Sequence, residues 1–421
     1  MRRRPRARLT PARAAAATLA ALGVLGLAAA CGRGFPPPEI EPFDPLTEPD
    51  PPQVERVLFL VGDAGATDVT RSPLLVRLGR DIGHWSAALE RDSAVAIAFL
   101  GDNVYPHGLR DRAHQGYAAD SARLWNQIAL LSGPAALEHR TVGWFLAGNH
   151  DWGGMVGPAG VRRLVNQEEA LERARRSDGR GGAPTVELIP SAGEPGPVVH
   201  DVGTDLRLVF IDTHWFLQDP PEAEQRAFFD ELRDAFTAAG EREIVVLSHH
   251  PWETSGPHGV SEGGRALGFY YLLEKSGTLV QDLSSAVYAD FIEAFRDVVR
   301  VTGRSPLVFA AGHDHSLQVF EAVRPTDPSF GLVSGAGSKL SPVSRAEGLR
   351  YAASRPGYMT LVFHHDGRID LFVTAGSARR LLCPARPETT RSSCMNDGIA
   401  AFETVYSAVV RESDREDGRT P

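Results

Sequence analysis

Three observations predict an α/β protein with mixed sheets. Short apolar runs, often β-branched, alternate with longer amphipathic stretches over most of the chain. After residue 317 the pattern changes to consecutive short strands. Five of the apolar runs end in a polar cluster, namely GDAG, GDNVY, GNHD, SHHP and GHDH. Strand–helix alternation implies parallel pairing, and the later run of strands adds antiparallel members. Polar clusters at the ends of successive strands match the place where such sheets carry function.

With 421 residues, 43% hydrophobic and 23% charged, the composition is that of a globular protein, and the length suits one large α/β unit or two domains. The N-terminus differs in kind. Arg2, Arg3, Arg4, Arg6, Arg8 and Arg13 precede an alanine- and leucine-rich run that ends at Ala30, so residues 1–30 read as a secretory signal peptide. The run closes on LAAAC, Leu27 to Cys31, which resembles the lipobox of bacterial lipoproteins, with Ala28 where leucine is usual. That resemblance implies a lipidated Cys31 on the periplasmic side of the cell envelope. Gly32, in place of the aspartate of inner-membrane retention, favours the outer membrane. A soluble secreted or periplasmic protein is the alternative.

Residues 31–53 then form a proline-rich acidic tether, expected to be extended and solvated. Removing residues 1–30 takes six of the 44 basic residues and none of the 53 acidic ones, moving the net charge from −9 to −15. So acidic a protein is ill-suited to nucleic acid, and none is expected as a partner. Cys383 and Cys394 lie in a polar, proline-containing stretch, and an oxidising compartment favours a disulfide between them.

The domain is expected over 54–410, with a charged, disordered tail at 411–421. Strands are read at 56–61, 94–100, 141–146, 206–211, 243–247 and 307–310, and helices at 72–91, 113–131, 161–176, 221–239 and 284–300. Residues 177–197, rich in glycine and proline, read as a variable surface insertion. Short strands follow at 317–322, 330–333, 358–364 and 368–373. His365, Asp366 and Gly367 mark a hairpin between the last two.

The strand-end residues are Asp63, Asp102, Tyr105, Asn149, His150, His249, His313 and His315. Singly each is an ordinary turn residue, aromatic or cap; their order at strand ends carries the reading. Carboxylate, phenol and amide oxygens with imidazole nitrogens suit hard or borderline metals, and the lack of a thiolate among them argues against a structural zinc site. Of the paired His249 and His250, one reads as a ligand and the other as a surface histidine. His107 and His214, close to these clusters, are taken as ordinary polar loop residues, with contacts that support the ligands as the alternative. SGAGSK, Ser334 to Lys339, is a glycine-rich turn with no catalytic role assigned.

In this order the five blocks resemble those of the calcineurin-like metallophosphoesterases, over about residues 54–373. The family usually has Asp-x-His in its first block. Here Gly65 stands in place of that histidine, and Tyr105 appears in the second block. That pairing resembles the purple acid phosphatase branch, particularly its small tartrate-resistant members, as does GHDHSLQ. The resemblance implies a four-layer α/β/β/α sandwich of two mixed sheets. It also implies two metal ions: Fe(III) held by Asp63, Asp102, Tyr105 and His315, and divalent Fe, Zn or Mn held by Asp102, Asn149, His249 and His313. Through the spacing to Pro251, the resemblance assigns the ligand of the histidine pair to His249 and leaves His250 as the surface histidine.

Asp102 would bridge the two ions. His150 would stabilise the phosphate or protonate the leaving group, and His258, nine residues past His249, matches the second active-site histidine. The implied activity is phosphomonoester hydrolysis by a metal-bound hydroxide on a small phosphorylated substrate, in a monomer. Phosphodiester or pyrophosphate hydrolysis, and a catalytically silent lipid-anchored binding protein, are the rival expectations.

Overall fold

Strand β1 (Val54–Val61) shows how the layers are built. Val57, Phe59 and Val61 face one core while Leu58 and Leu60 face another, so the strand is buried on both sides. The computed structural model describes residues 44–66, 72–89, 94–154, 157–176, 183–259, 283, 285–376 and 402–413. In it β1 pairs in parallel with β2 (Ala94–Phe99), followed by β3 (Val142–Phe145) and β4 (Thr185–Leu188). On its other side β1 pairs antiparallel with β12 (Gly357–His364), then β13 (Ile369–Ala375) and β14 (Glu403–Arg411). The second sheet runs β11 (Leu349–Ala353), β9 (Leu317–Glu321), β10 (Phe330–Ser334), β8 (Val308–Ala311), β7 (Glu243–Leu247), β6 (Leu206–Phe210) and β5 (Val198–Val202). Its strands β10, β8, β7 and β6 are mutually parallel.

Helices cover both outer faces. Helices α1 (Pro73–Ala88), α2 (Tyr117–Ile128) and α4 (Pro158–Arg176) bury Leu78, Ile82, Leu124, Ile128, Leu164 and Leu171 against the first sheet; α3 (Pro134–Glu138) is a short turn beside them. Helices α5 (Thr213–Phe216), α6 (Glu222–Thr237) and α7 (Ala286–Thr302) bury Phe216, Phe228, Leu232, Phe236, Phe291 and Phe295 against the second. A third core, with Leu60, Leu247, Leu361 and Leu371, lies between the sheets. The result is the expected four-layer α/β/β/α sandwich. Local chemistry sets the helix ends: the Ser72 hydroxyl caps α1 ahead of Pro73, Ser285 caps α7, and Gly303 ends α7 at φ 66°.

Three expectations change. Residues 177–197 are more than an insertion, because Thr185–Leu188 is β4, the edge strand of the first sheet. Four residues among glycines carry too little periodicity to announce a strand. At the far end, β14 extends the sheet through Arg411, with Tyr406 and Val410 buried, so ordered structure reaches into the expected tail. The tether is not wholly solvated either: Leu46 packs on the outer core and donates its N–H to the Ser407 hydroxyl, and His365 N–H donates to the Gln53 carbonyl. The signal peptide, Cys31, Cys383 and Cys394 lie outside the described residues. Among those described, no helix is long and apolar enough to cross a membrane.

One carboxyl beyond β7 is unfavourably placed. Arg296 divides its guanidinium between Asp327, at 3.0 and 2.9 Å, and Glu293, at 2.5 Å, while burial and the Asp327 charge push the Glu253 carboxyl from an ordinary 4.5 up to about 7. The folded chain therefore holds this proton while the unfolded chain loses it, and stability falls as pH rises from about 4.5 to 7. Glu253→Gln should remove that fall. Denaturant unfolding should show the variant gaining on the native protein across this interval, reaching about 3 kcal/mol by pH 8.

Candidate metal centre

The site lies where the parallel strands of both sheets end. Beyond β1 the chain turns at Gly62 and Asp63, beyond β2 at Gly101 and Asp102, and beyond β8 at Gly312 and His313. Asp63, Asp102 and His313 all take left-handed backbone, with φ of 60°, 56° and 65°. Non-glycine residues adopt this conformation at a cost, and such strain gathers at functional sites. Backbone bonds between the loops hold it in place: Asp63 N–H donates to Gly101 O at 3.0 Å, Gly65 N–H to Asp102 O at 3.0 Å and Gly312 N–H to His249 O at 3.0 Å.

The seven residues expected to bind metal converge here. On one side the Tyr105 hydroxyl donates to Asp63 Oδ1 at 2.7 Å and lies 3.1 Å from His315 Nε2. On the other, His249 Nε2 lies 3.0 Å from Asn149 Oδ1 and 3.3 Å from His313 Nδ1. Asp102 stands between them, its Oδ1 3.5 Å from His249 Nε2 and its carboxylate within reach of the Tyr105 hydroxyl. Ligand atoms of Asp63, Asp102 and His249 lie within 4.8 Å of one another, as do those of His249, His250 and His313.

This arrangement fits a pair of metal ions. Two carboxylates, 0% and 1% exposed, are buried together, a state that demands compensating positive charge. The donors are nitrogen and oxygen only. Buried Nε2 atoms of His250 and His313 lack hydrogen-bond partners among the described residues. Burial pushes His313 well below its ordinary range, keeping it a neutral donor. Burial, with Asp102 and Asp63, pushes the Tyr105 phenol well up, so its proton stays until a cation displaces it. Burial opposes ionisation of Asp102 too, but the His249 and His150 rings outweigh it and hold that carboxyl at about 2.

Both remaining candidates sit at the rim. The His150 ring lies 4.3 Å from that of Tyr105, and its Nδ1 is 2.8 Å from the Pro106 carbonyl. A carbonyl can only accept, so the proton is fixed on Nδ1 and Nε2 is left for the cleft. The His258 ring is 4.4 Å from that of His313 and 6.4 Å from that of His315.

The structure adds residues whose importance the sequence hid. A Cβ at Gly65 would lie 2.2 Å from the Asn103 carbonyl carbon, so no side chain fits at this position. Asp151, buried, accepts from the N–H groups of Gly148, Asn103 and Val104 at 2.9–3.1 Å and from Asn103 Nδ2 at 3.1 Å. It ties the second block to the third. His250 is fully buried rather than on the surface: its Nδ1 meets the Thr213 hydroxyl at 2.9 Å, and its ring stacks on that of His214, also buried, at 5.9 Å. A histidine between a ligand and a proline, at the end of an inner strand, was the available signal. His107 is exposed.

Asp151→Ala would strip three backbone donors of their acceptor. It should cost about 3 kcal/mol in denaturant unfolding and lower the metal content after reconstitution, with Asp151→Asn intermediate on both measures.

No family model matches the chain, and no curated protein matches it. Solved structures do. A structure described as GAP50, the anchor in the inner membrane complex of Plasmodium, aligns at a TM-score of 0.50 and 14% identity, over 86% of this chain and 90% of that one. The structure of PhoD aligns at 0.50 and 12%, over 84% and 69%. A purple acid phosphatase, PPD1 from yellow lupin seeds, aligns at 0.47 and 14%, over 82% and 56%, so this chain spans about half of that protein's length. At such identities the likeness is one of fold.

Proposed function

We propose that this protein is a metal-dependent phosphoric ester hydrolase of the calcineurin-like superfamily, in its purple acid phosphatase-like branch, acting on phosphomonoesters. The observation that carries this reading is the placement of Asp102 between two donor groups, Asp63–Tyr105–His315 and Asn149–His249–His313. Asp63, Asp102, Tyr105 and His315 would hold a trivalent iron. Asp102, Asn149, His249 and His313 would hold a divalent iron, zinc or manganese ion, for which the neutral amide of Asn149 suits the lower charge. When bound, such a pair supplies Lewis acidity and an activated water.

The protein's own groups do the rest. Rigid strand-end loops keep the donors converged. His150, with its Nδ1 proton engaged by Pro106, presents Nε2 as the atom that donates to a phosphoryl or leaving-group oxygen when the ring is protonated. His258, beside His313, is a second such donor. The signal sequence, LAAAC and the proline-rich segment support a lipid-anchored place on the periplasmic face of a bacterial outer membrane.

Three measurements test the reading. Iron-loaded protein should show a visible charge-transfer band that Tyr105→Phe abolishes; a band unchanged by the substitution refutes the phenolate assignment. Across a panel, p-nitrophenyl phosphate should be turned over faster than bis(p-nitrophenyl) phosphate. The reverse order assigns the site to diesters, and metal-loaded protein inert to both is a binding protein on this fold. Replacing His150 by alanine should lower kcat by roughly 10²-fold or more while both metals are retained.

A further inference from the structure

The glycine-rich turn after β10 ends in a lysine that lies over the Tyr105 ring, within the influence of the Asp102 and Asp63 carboxylates. Of the 44 basic residues only Lys275 and Lys339 are lysines, so a chain that otherwise uses arginine places an ammonium here. Lys339 Nζ lies 3.4 Å from the centroid of the Tyr105 ring. The side chain is half-buried, and the charges acting on it among the described residues are those of Asp102 and Asp63. Its backbone is fastened to the ligand loops on both sides. Gly335 N–H donates to Ser316 O, Gly337 N–H to Gly62 O and Ser341 N–H to His315 O, at 3.0, 3.2 and 2.7 Å. The Ser338 hydroxyl donates to the Asp63 carbonyl and accepts from Ala66 N–H. Cβ atoms at Gly335 and Gly337 would come within 2.2 Å of Asp314 O and 2.3 Å of Gly62 O, which is why this turn needs glycines. Lys339 is therefore held in register with the metal ligands.

We propose that Lys339 is a specificity-determining substrate contact, its ammonium donating to and pairing with the oxygen that carries the second negative charge of a terminal phosphoryl group bound at the metal centre. The inference rests on the hydrolase reading above and sharpens it. Once Asp63 and Asp102 are neutralised by cations, nothing described beside Lys339 balances its charge. An incoming phosphate does. A dianionic monoester brings two charges to the metals and the ammonium, whereas a diester brings one, so the contact favours monoesters. A compact point charge over the face of an aromatic ring approaches a single phosphoryl oxygen, a task for which the wide, planar fork of arginine is poorly shaped.

The test compares metal-loaded native protein with Lys339→Met and Lys339→Arg, reading metal content, inorganic phosphate affinity by calorimetry, and KM and kcat separately for p-nitrophenyl phosphate and its bis ester. Lys339→Met should keep both metals, weaken phosphate binding about tenfold or more, and raise KM for the monoester by a similar factor, with a smaller loss for the diester. Lys339→Arg should restore part of the phosphate affinity. Phosphate affinity within twofold of native in Lys339→Met, with both metals present, overturns the proposal, as does loss of metal from both variants, which would make Lys339 a metal-site residue. Lysine-dependent phosphate binding by a protein that hydrolyses neither ester would overturn the hydrolase reading and leave this contact standing. Native protein that binds no phosphate overturns both.

Discussion

Two carboxylates buried side by side organise this structure. Asp63 and Asp102 follow neighbouring parallel strands, are almost wholly removed from water, and take a backbone conformation that such residues disfavour. Neither the desolvation nor the strain is tolerable alone. The surrounding loops are bonded into one frame that leaves the carboxylates nowhere else to point, and the converging imidazoles, amide and phenol complete a nest for positive charge. The sandwich supplies that frame, since β1 and β2 in one sheet and β7 and β8 in the other deliver their ends to the same edge of the molecule.

Within the frame, one glycine decides the character of the site. At Gly65 the backbone lies against that of Asn103 so closely that a side chain is excluded. Tyr105, three residues past Asp102, reaches the Asp63 side of the cluster. With a phenol at hand, the loops pack more tightly than an imidazole at residue 65 would permit, and the Tyr105 ring becomes the platform over which Lys339 lies.

The polar clusters at strand ends were legible because each is a glycine-punctuated turn after an apolar run, a local pattern. So were the hairpin around Gly367 and the main helices, whose apolar spacing and serine caps are local too. Strands β4, β5, β11 and β14 were not. Each is short or mixed in composition, and exists because a neighbouring strand presents an open edge to it. Asp151 was hidden for the same reason: its part is to accept N–H groups 47 and 48 residues away.

The sequence by itself determined which residues could form the centre, their order, and the α/β alternation that carries them, since residue chemistry and hydrophobic period are written locally. The tertiary structure alone decided the rest. It buried His250 and His214 beside the donor cluster, made Asp151 the tie between loops, drew Leu46 down onto the sheet, and set Lys339 over Tyr105. Each of these depends on the distance between segments far apart in the chain, and that distance is fixed only when the two sheets pack.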